Sequence, residues 1–152
     1  MKKVFVVAAH PDDEVLGCGG TLLKHVYKGD KVYILFVSEG VTGRYKINEI
    51  DKSKKEIFKR ENMARKAAKI GRFKIVDFLN LKNLNLNNYP HNYLTNIIVK
   101  YFKKYKPDIV YTHYEHDLNI DHYQTFFSTF VASRPNPNFN IKKLLSFEVP
   151  SS

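Results

Sequence analysis

The sequence predicts a three-layer α/β/α fold, in which helices cover both faces of a mostly parallel, Rossmann-like sheet with strand order 3-2-1-4-5. Short apolar runs alternate along the chain with longer helical patterns. The apolar runs are continuous rather than alternating, which is typical of strands buried on both faces. The 152 residues suffice for one domain, and no repeat or linker divides them.

The predicted elements follow one another from the first residues to the last. Continuous apolar runs predict strands, and amphipathic segments predict helices. Glycine or proline stands where three of the helices should end, at Gly29, Gly71 and Pro107. In chain order we expect a strand at 3–9, a helix at 15–28, a strand at 31–38, a helix at 51–70, a strand at 74–79, a helix at 91–105, a strand at 108–113, a helix at 122–133 and a strand at 144–149.

The composition excludes several classes of protein. Hydrophobic residues make up 43% of the chain, as in globular proteins, and no apolar run reaches the roughly 18–20 residues of a membrane span. The single cysteine, Cys18, excludes an internal disulfide framework and indicates a cytoplasmic location. The net charge of +10 comes from lysines spread over the polar faces of predicted helices. Since no nucleic-acid-binding motif accompanies them, we expect no nucleic-acid partner.

Two segments rich in histidine and carboxylate follow neighbouring strands of the predicted sheet. Residues 9–14, AHPDDE, end the first strand, and residues 113–122, HYEHDLNIDH, follow the fourth. In open α/β sheets, ligands bind at the carboxyl ends of strands, where the strand order reverses. The first and fourth strands are neighbours at that point, so we expect the two segments to converge on one cleft.

The residue types in this cleft predict a zinc site. A hydrolytic zinc ion uses three histidine or carboxylate ligands and leaves one position for water. His10 and Asp13 lie close enough in the chain to bind one ion from a single turn, and His122 completes the set. Asp12 then remains beside the ion as a general base for water. The alternative is that the acids only cap the helix that follows them.

These motifs resemble a known family. AHPDDE with the following GCGGT, and the later DLNIDH, are similar to the LmbE-like or PIG-L family of zinc-dependent N-deacetylases, the GlcNAc-PI de-N-acetylase-like proteins. The resemblance covers most of the chain. It implies a metal-dependent amide hydrolase that removes acetyl groups from N-acetylglucosamine-type small molecules or conjugates. It also implies His10, Asp13 and His122 as zinc ligands and Asp12 as the general base.

Other positions match the family less closely. Arg60 resembles an arginine of the family that often lies near the substrate, but the acid usual three residues later is here Met63. Many members carry a histidine where this chain has Asn119. An asparagine amide can stabilise an oxyanion but cannot transfer a proton. We therefore expect His113 or His116 to supply the proton for the leaving amine.

The sequence leaves alternatives for extent and function. Family members usually continue beyond a segment such as SFEVPSS, so we expect one domain over residues 1–152 that is truncated at its C-terminal end. Loops 40–50 and 80–92 should select a sugar-like N-acetyl substrate over a peptide. The alternative function is a non-catalytic metal- or sugar-binding protein of the same fold. Iron is an alternative to zinc, and a homo-oligomer is compatible with the sequence.

Overall fold

Five parallel strands form one sheet in the part of the chain that the structure, a computed structural model, describes: residues 1–46 and 49–150. The strands are β1 (Lys3–Ala8), β2 (Lys31–Ser38), β3 (Lys74–Leu81), β4 (Ile109–His113) and β5 (Lys143–Phe147). Their order in the sheet is β3-β2-β1-β4-β5, and every neighbouring pair is parallel. Both features confirm the prediction from the sequence.

Within the described residues, four α-helices connect the strands and cover both faces of the sheet. They are α1 (Asp13–Tyr27), α2 (Ile50–Gly71), α3 (His91–Tyr105) and α4 (Ile120–Ala132). Ile47 and Asn48, which belong to the predicted selectivity loop, lie outside the described residues, as do Ser151 and Ser152. None of the described helices is long and apolar enough to cross a membrane.

The central position of β1 in the sheet explains why its sequence is continuously apolar. Successive side chains of a strand point to opposite faces, and here each face carries a layer of helices. Val4 and Val6 pack with α1 and α2, whereas Phe5 and Val7 pack with α3 and α4. All four side chains are fully buried. The partners on the first face include Cys18, Leu22 and Ala64, and those on the second include Ile98, Phe102 and Ala132.

Two helices begin two residues earlier than the sequence predicts. The first starts at Asp13 rather than at residue 15, and α4 starts at Ile120 rather than at residue 122. The start of α4 is set by Asn119, whose side-chain oxygen accepts a hydrogen bond from the backbone N–H of Asp121 (2.9 Å). As a result, Asp13 and His122 both lie in the first turn of a helix, at the same edge of the sheet.

A glycine allows α1 to lie close to the last strand. A Cβ atom added at Gly17 would lie closer to the ring of Phe147 than real Cβ atoms approach their neighbours. The ring of Phe147 in turn contacts that of His113 at a centroid distance of 4.7 Å. The glycine therefore brings the start of α1 beside the carboxyl ends of β4 and β5.

Candidate metal centre

The three predicted ligands meet at the carboxyl edge of the sheet. His10 follows β1, Asp13 begins α1, and His122 lies in the first turn of α4. All three side chains are buried, with exposed fractions of 7%, 3% and 2% respectively. Segments more than a hundred residues apart in the chain thus supply one cluster of donor atoms.

The donor atoms of this cluster form a nearly equilateral triangle. Asp13 Oδ2 lies 3.4 Å from His10 Nδ1 and 3.3 Å from His122 Nε2, and the two nitrogens are 3.2 Å apart. Bonds of about 2.0–2.1 Å to a tetrahedral zinc ion would separate neighbouring donor atoms by about 3.3–3.4 Å. The donor set and its spacing therefore fit a metal ion of this size, with one coordination position left open.

A carboxylate behind His122 orients its ring. Nδ1 of His122 lies 2.8 Å from Asp117 Oδ2, so Nδ1 carries the proton and donates it to the carboxylate. Nε2 is then the nitrogen that faces the triangle. A carboxylate in this position is typical of metal-binding histidines, because it fixes the tautomer and raises the basicity of the ligand nitrogen. Burial opposes protonation of His122, but hydrogen bonds with Asp13 and Asp117 outweigh it and raise the pKa.

His10 is oriented in the same way by Asp121. Its Nε2 donates to Asp121 Oδ2 at 3.1 Å, which leaves Nδ1 to face the triangle. Burial opposes protonation of His10, but the hydrogen bonds to Asp121 and Asp13 outweigh it and raise the pKa to about 9. Asp121 is fully buried and also accepts hydrogen bonds from the backbone N–H groups of Leu84 (2.7 Å) and Leu86 (3.3 Å). One carboxylate therefore joins β1, α4 and the segment after β3.

Asp13 is held as a carboxylate. Burial favours its neutral form, but hydrogen bonds from His10 and His122 override burial and keep its pKa well below the usual range. The backbone N–H of His10 also donates to Asp13 Oδ2, at 2.8 Å. The cluster thus combines one anionic oxygen with two imidazole nitrogens, which is the ligand chemistry of zinc and related divalent ions.

Asp12 stands beside the cluster with its carboxylate in the cleft. Its side chain makes no hydrogen bond that caps α1, so the structure does not support a capping role. Instead, Arg60 Nη2 donates to Asp12 Oδ2 at 3.0 Å. The backbone φ of Asp12 is 150°, a value that residues with side chains rarely adopt. Burial raises its pKa, and the opposing charge of Arg60 does not cancel the shift.

Arg60 reaches the cleft past a glycine. Its Nη1 donates to the carbonyl oxygen of Gly40 at 3.2 Å. Gly40 has a φ of 71°, and an added Cβ would lie 2.6 Å from Arg60 Nη1 and 3.0 Å from His10 Cβ. The sequence predicts Arg60 as a substrate-binding residue. The structure places it in the cleft, where its guanidinium already holds Asp12 and the segment after β2.

The cleft above the cluster has a volume of about 190 Å³. Glu39 shapes one of its walls, because this buried carboxylate accepts hydrogen bonds from the backbone N–H groups of Val41 (2.6 Å), Thr42 (2.9 Å) and Asn83 (2.7 Å). It thereby joins the segments that follow β2 and β3. The side chains around the cleft are His10, Asp12, Asp13, Leu16, Arg44, Arg60, Asn83, Leu84, Asn119, His122 and Val149.

Asn119 presents an amide donor to the cleft. Its side-chain oxygen is engaged by the backbone N–H of Asp121, so its Nδ2 group is the end left for other partners. The backbone N–H of Asn119 donates to Asp117 Oδ1 at 2.9 Å, which fixes the position of the residue further. The arrangement suits a hydrogen bond to an oxygen that gains negative charge during a reaction.

The structure brings neither predicted proton donor to the cleft. His113 is fully buried and stacks on His122 at a centroid distance of 4.0 Å. Its Nε2 accepts the backbone N–H of Ala9 (2.8 Å), and no described residue accepts a hydrogen bond from its Nδ1. Burial lowers its pKa to about 3, so the ring is neutral. The loop after β4 turns the side chain of His116 to the surface, where its Nε2 lies 3.5 Å from Glu115 Oε1.

A second group of residues also has the composition of a metal site. Ligand atoms of His113, Asp117 and His122 lie within 4.8 Å of one another. This group shares His122 with the first, and the direct hydrogen bond between His122 and Asp117 occupies the space between two of its members. The first group is therefore the better candidate for an ion that a substrate can reach, since all three of its members line the cleft.

Comparisons with known proteins agree on the fold of the chain. Residues 5–133 match the family model of GlcNAc-PI de-N-acetylase, PIG-L. No curated protein sequence matches the chain. Among solved structures, a conserved protein from Thermus thermophilus superposes with a TM-score of 0.76 and 23% identity, over 97% of this chain and 66% of that one.

Two further structures show that different reactions use this fold. The N,N'-diacetylchitobiose deacetylase from Pyrococcus horikoshii, solved with an inhibitor, has a TM-score of 0.73 and 26% identity, over 89% of this chain and 52% of that one. The 4-carboxy-2-hydroxymuconate hydratase from Pseudomonas putida has a TM-score of 0.69 and 21% identity, over 96% and 62%. The chain thus spans about half to two thirds of the length of the structures it matches.

Proposed function

The chain belongs to the GlcNAc-PI de-N-acetylase (PIG-L) family, and from this premise we propose that it is a zinc-dependent N-deacetylase acting on an N-acetylglucosamine-type small molecule or conjugate. The observation that carries the proposal is the buried triangle of donor atoms beside the carboxylate of Asp12. The similar chitobiose deacetylase, at 26% identity, supports the same reaction class. The hydratase supports only the fold, since fold alone does not set the chemistry.

His10, Asp13 and His122 would hold the ion. When bound, a zinc ion supplies Lewis-acid chemistry, polarising an acetyl carbonyl and making a coordinated water more acidic. Asp117 and Asp121 keep the two imidazole rings in the tautomers that present lone pairs to the site. The burial of this cluster excludes competing water from all sides except the cleft.

Asp12 performs both proton transfers in this proposal. As a general base it accepts a proton from the water that attacks the acetyl carbonyl, and it then delivers that proton to the nitrogen of the leaving amine. Its raised pKa suits both steps, because a base that is too weak cannot accept the proton and one that is too strong cannot return it. Arg60 holds the carboxylate in place during the two steps.

Asn119 stabilises the charge that develops on the carbonyl oxygen, through its Nδ2 donor. Polar groups of Arg44 and Asn83 on the same cleft suit the hydroxyl groups of a sugar. We therefore propose a sugar over a peptide. Cys18 is buried and burial raises the pKa of its thiol to about 12, which fits an unreactive packing role in a cytoplasmic protein.

Acetate release from N-acetylglucosamine and N,N'-diacetylchitobiose tests this function. The chain is stripped with a chelator and then loaded with zinc or with ferrous iron, and the metal that restores turnover identifies the active ion. Turnover with zinc, and none with the stripped chain, is the expected result, whereas turnover with iron alone would identify iron as the active ion. A chain that binds metal and sugar without releasing acetate would instead be the non-catalytic alternative, which the absence of a titratable side chain at Asn119 favours.

A further inference from the structure

Helices α1 and α2 leave an apolar groove between them that opens beside the metal centre. Its volume is about 530 Å³, more than twice that of the cleft. Asp12, Leu16 and Arg60 line both the groove and the cleft, so the two spaces are adjacent. The other residues along the groove are Pro11, Glu14, Val15, Glu56, Lys59, Met63, Ala64 and Ala67.

The walls of this α1–α2 groove expose apolar side chains from both helices. Leu16 is 57% exposed and Met63 is 59% exposed, on the two helices that face each other. A further apolar space of about 300 Å³ extends the groove away from the cleft, sharing Val15 and Ala67 with it and ending at Ile70. Contiguous apolar patches on a soluble domain often mark a binding site. The charged pair Lys59 and Glu56 (3.9 Å) is part of the wall, and its opposite charges offset one another.

The cleft and the α1–α2 groove differ in the chemistry of their lining residues. The side chains that line the cleft but not the groove include the polar groups of Arg44, Asn83 and Asn119. Those that line the groove but not the cleft include Val15 and Met63. An N-acyl amino sugar is divided in the same way: a hydroxyl-rich amine lies on one side of the scissile carbonyl and an aliphatic chain on the other.

We propose that the α1–α2 groove is a subsite for the acyl chain, and that this protein hydrolyses N-acyl amino sugars whose acyl group is longer than acetyl. The inference rests on the proposed function, because that function places the scissile carbonyl beside Asp12, where cleft and groove meet. Water adds to the carbonyl carbon and the C–N bond breaks. The products are a fatty carboxylic acid, which leaves along the groove, and the free amino sugar, whose nitrogen takes the proton from Asp12.

A series of N-acyl glucosamines tests the subsite. The zinc-loaded chain is assayed on the N-acetyl, N-butyryl and N-hexanoyl compounds. Each buried methylene should lower KM about two- to fourfold, so kcat/KM for the hexanoyl compound should exceed that for the acetyl compound at least about tenfold. Calorimetric titration of the metal-free chain with the same compounds should give the same order of affinity without any turnover.

A substitution in the groove locates the effect. Met63→Glu puts a charge on the groove wall, and it should reduce the ratio of hexanoyl to acetyl kcat/KM to about one. Phe58→Glu is the matched control, because Phe58 is an exposed apolar side chain (68%) of the same helix that does not line the groove. This control should retain the full ratio.

The possible failures are distinguishable. If none of the three amides is hydrolysed, the proposed function is wrong. If acetate is released but the hexanoyl compound is neither bound more tightly nor turned over faster, the acyl subsite is wrong. An unchanged ratio in Met63→Glu would also overturn it, as would a stable dimer that covers the groove and does not bind the hexanoyl compound.

Discussion

The two edges of the sheet use the same residue types for different purposes. At the amino edge, Asp30 Oδ1 accepts the backbone N–H of Lys2 (2.7 Å) and its Oδ2 pairs with His25 (2.8 Å). Asp108 similarly accepts the backbone N–H of Lys3 (2.9 Å) and pairs with Lys142 (3.1 Å). Each of these two carboxylates joins one chain segment to another. At the carboxyl edge, aspartates and histidines surround a single point instead.

The difference lies in where the remaining lone pairs point. Both ring nitrogens of His25 have hydrogen-bonding partners, Asp30 on one side and the hydroxyl of Tyr111 (3.1 Å) on the other. His10 and His122 are each bonded to a carboxylate through one nitrogen, which turns the other nitrogen toward Asp13. A histidine–aspartate pair is therefore a structural link when both nitrogens are used, and a candidate metal ligand when one is left to converge with others.

The largest expected effect is the loss of zinc when His122 at the carboxyl edge is replaced, compared with the replacement of His25 at the amino edge. His122→Ala removes one of three ligands, so zinc content should fall from about one per chain to near zero and acetate release should be lost. The affinity should drop by more than about 100-fold, because even changes behind a ligand cost about 10–100-fold. His25→Ala is the control at the amino edge and should retain both zinc and turnover. Elemental analysis after dialysis measures the difference, and unchanged zinc in His122→Ala would remove that residue from the ligand set.

The next largest effect is on the rate of acetate release, and it distinguishes Asp12 in the cleft from Asp30 at the opposite edge of the sheet. Asp12→Asn should keep zinc but slow acetate release by about 10²–10⁴-fold, the range expected when a general acid or base is lost. Asp30→Asn should leave the rate unaltered, because Asp30 lies at the opposite edge and binds the backbone of Lys2 and the ring of His25. Steady-state kinetics on N-acetylglucosamine decides between them. Equal rates for Asp12→Asn and the unchanged chain would show that Asp12 has no part in the proton transfers.

A smaller effect is expected from the carboxylate behind His10. Asp121→Asn retains an oxygen for the N–H of Leu84 but loses the charge that draws the proton of His10 Nε2. Zinc affinity should fall about 10–100-fold. Asp108→Asn makes the same chemical change at the amino edge and should leave zinc affinity as it is. Competition with a metal indicator of known affinity measures both, and an unaltered affinity in Asp121→Asn would contradict the orienting role of this residue.

The smallest effect is a pH-dependent loss of stability at the amino edge. The backbone N–H of Lys3 and the side chain of Lys142 lower the pKa of Asp108 in the folded chain. A lowered pKa stabilises the folded state above the unfolded value, at about pH 4, and this contribution disappears as the pH falls through the folded value. Asp108→Asn should therefore cost about 1 kcal/mol of unfolding free energy at pH 7 and less as the pH falls below about 4.

Urea denaturation at several pH values measures this difference. Asp51→Asn is a suitable control, because the Asp51 side chain is 93% exposed and pairs with Lys54 at a distance of 3.5 Å, so its loss should change little. A destabilisation of Asp108→Asn that stays constant from pH 7 to about pH 3 would show that the ionised carboxylate contributes nothing beyond its shape.

The sheet could be predicted from the sequence because its evidence is local. A continuously apolar strand such as β1 reports burial on both faces, and the alternation of strands with helices restricts the strand order. The three candidate ligands were also predictable, because histidine and aspartate directly after neighbouring parallel strands must converge at one edge. Residue type and position along the strand were sufficient for both conclusions.

The surroundings of the ligands could not be predicted in the same way. Asp121 binds the backbone of Leu84, which is 37 residues away in the chain, and no motif reports such a contact. Glu39 is an ordinary acid in the sequence, yet it connects two loops through their N–H groups. The exposure of His116 depends on how the loop after β4 turns. These features arise from loop geometry, which single residues do not encode.

The location of the ion tests the central claim most directly. Crystals of the zinc-loaded chain, measured at the zinc absorption edge, should show one anomalous peak about 2.0–2.1 Å from His10 Nδ1, Asp13 Oδ2 and His122 Nε2. The same peak should be absent from crystals of His122→Ala. A peak between His113, Asp117 and His122 instead, or zinc bound only at the surface, would contradict the assignment of the buried triangle as the metal centre.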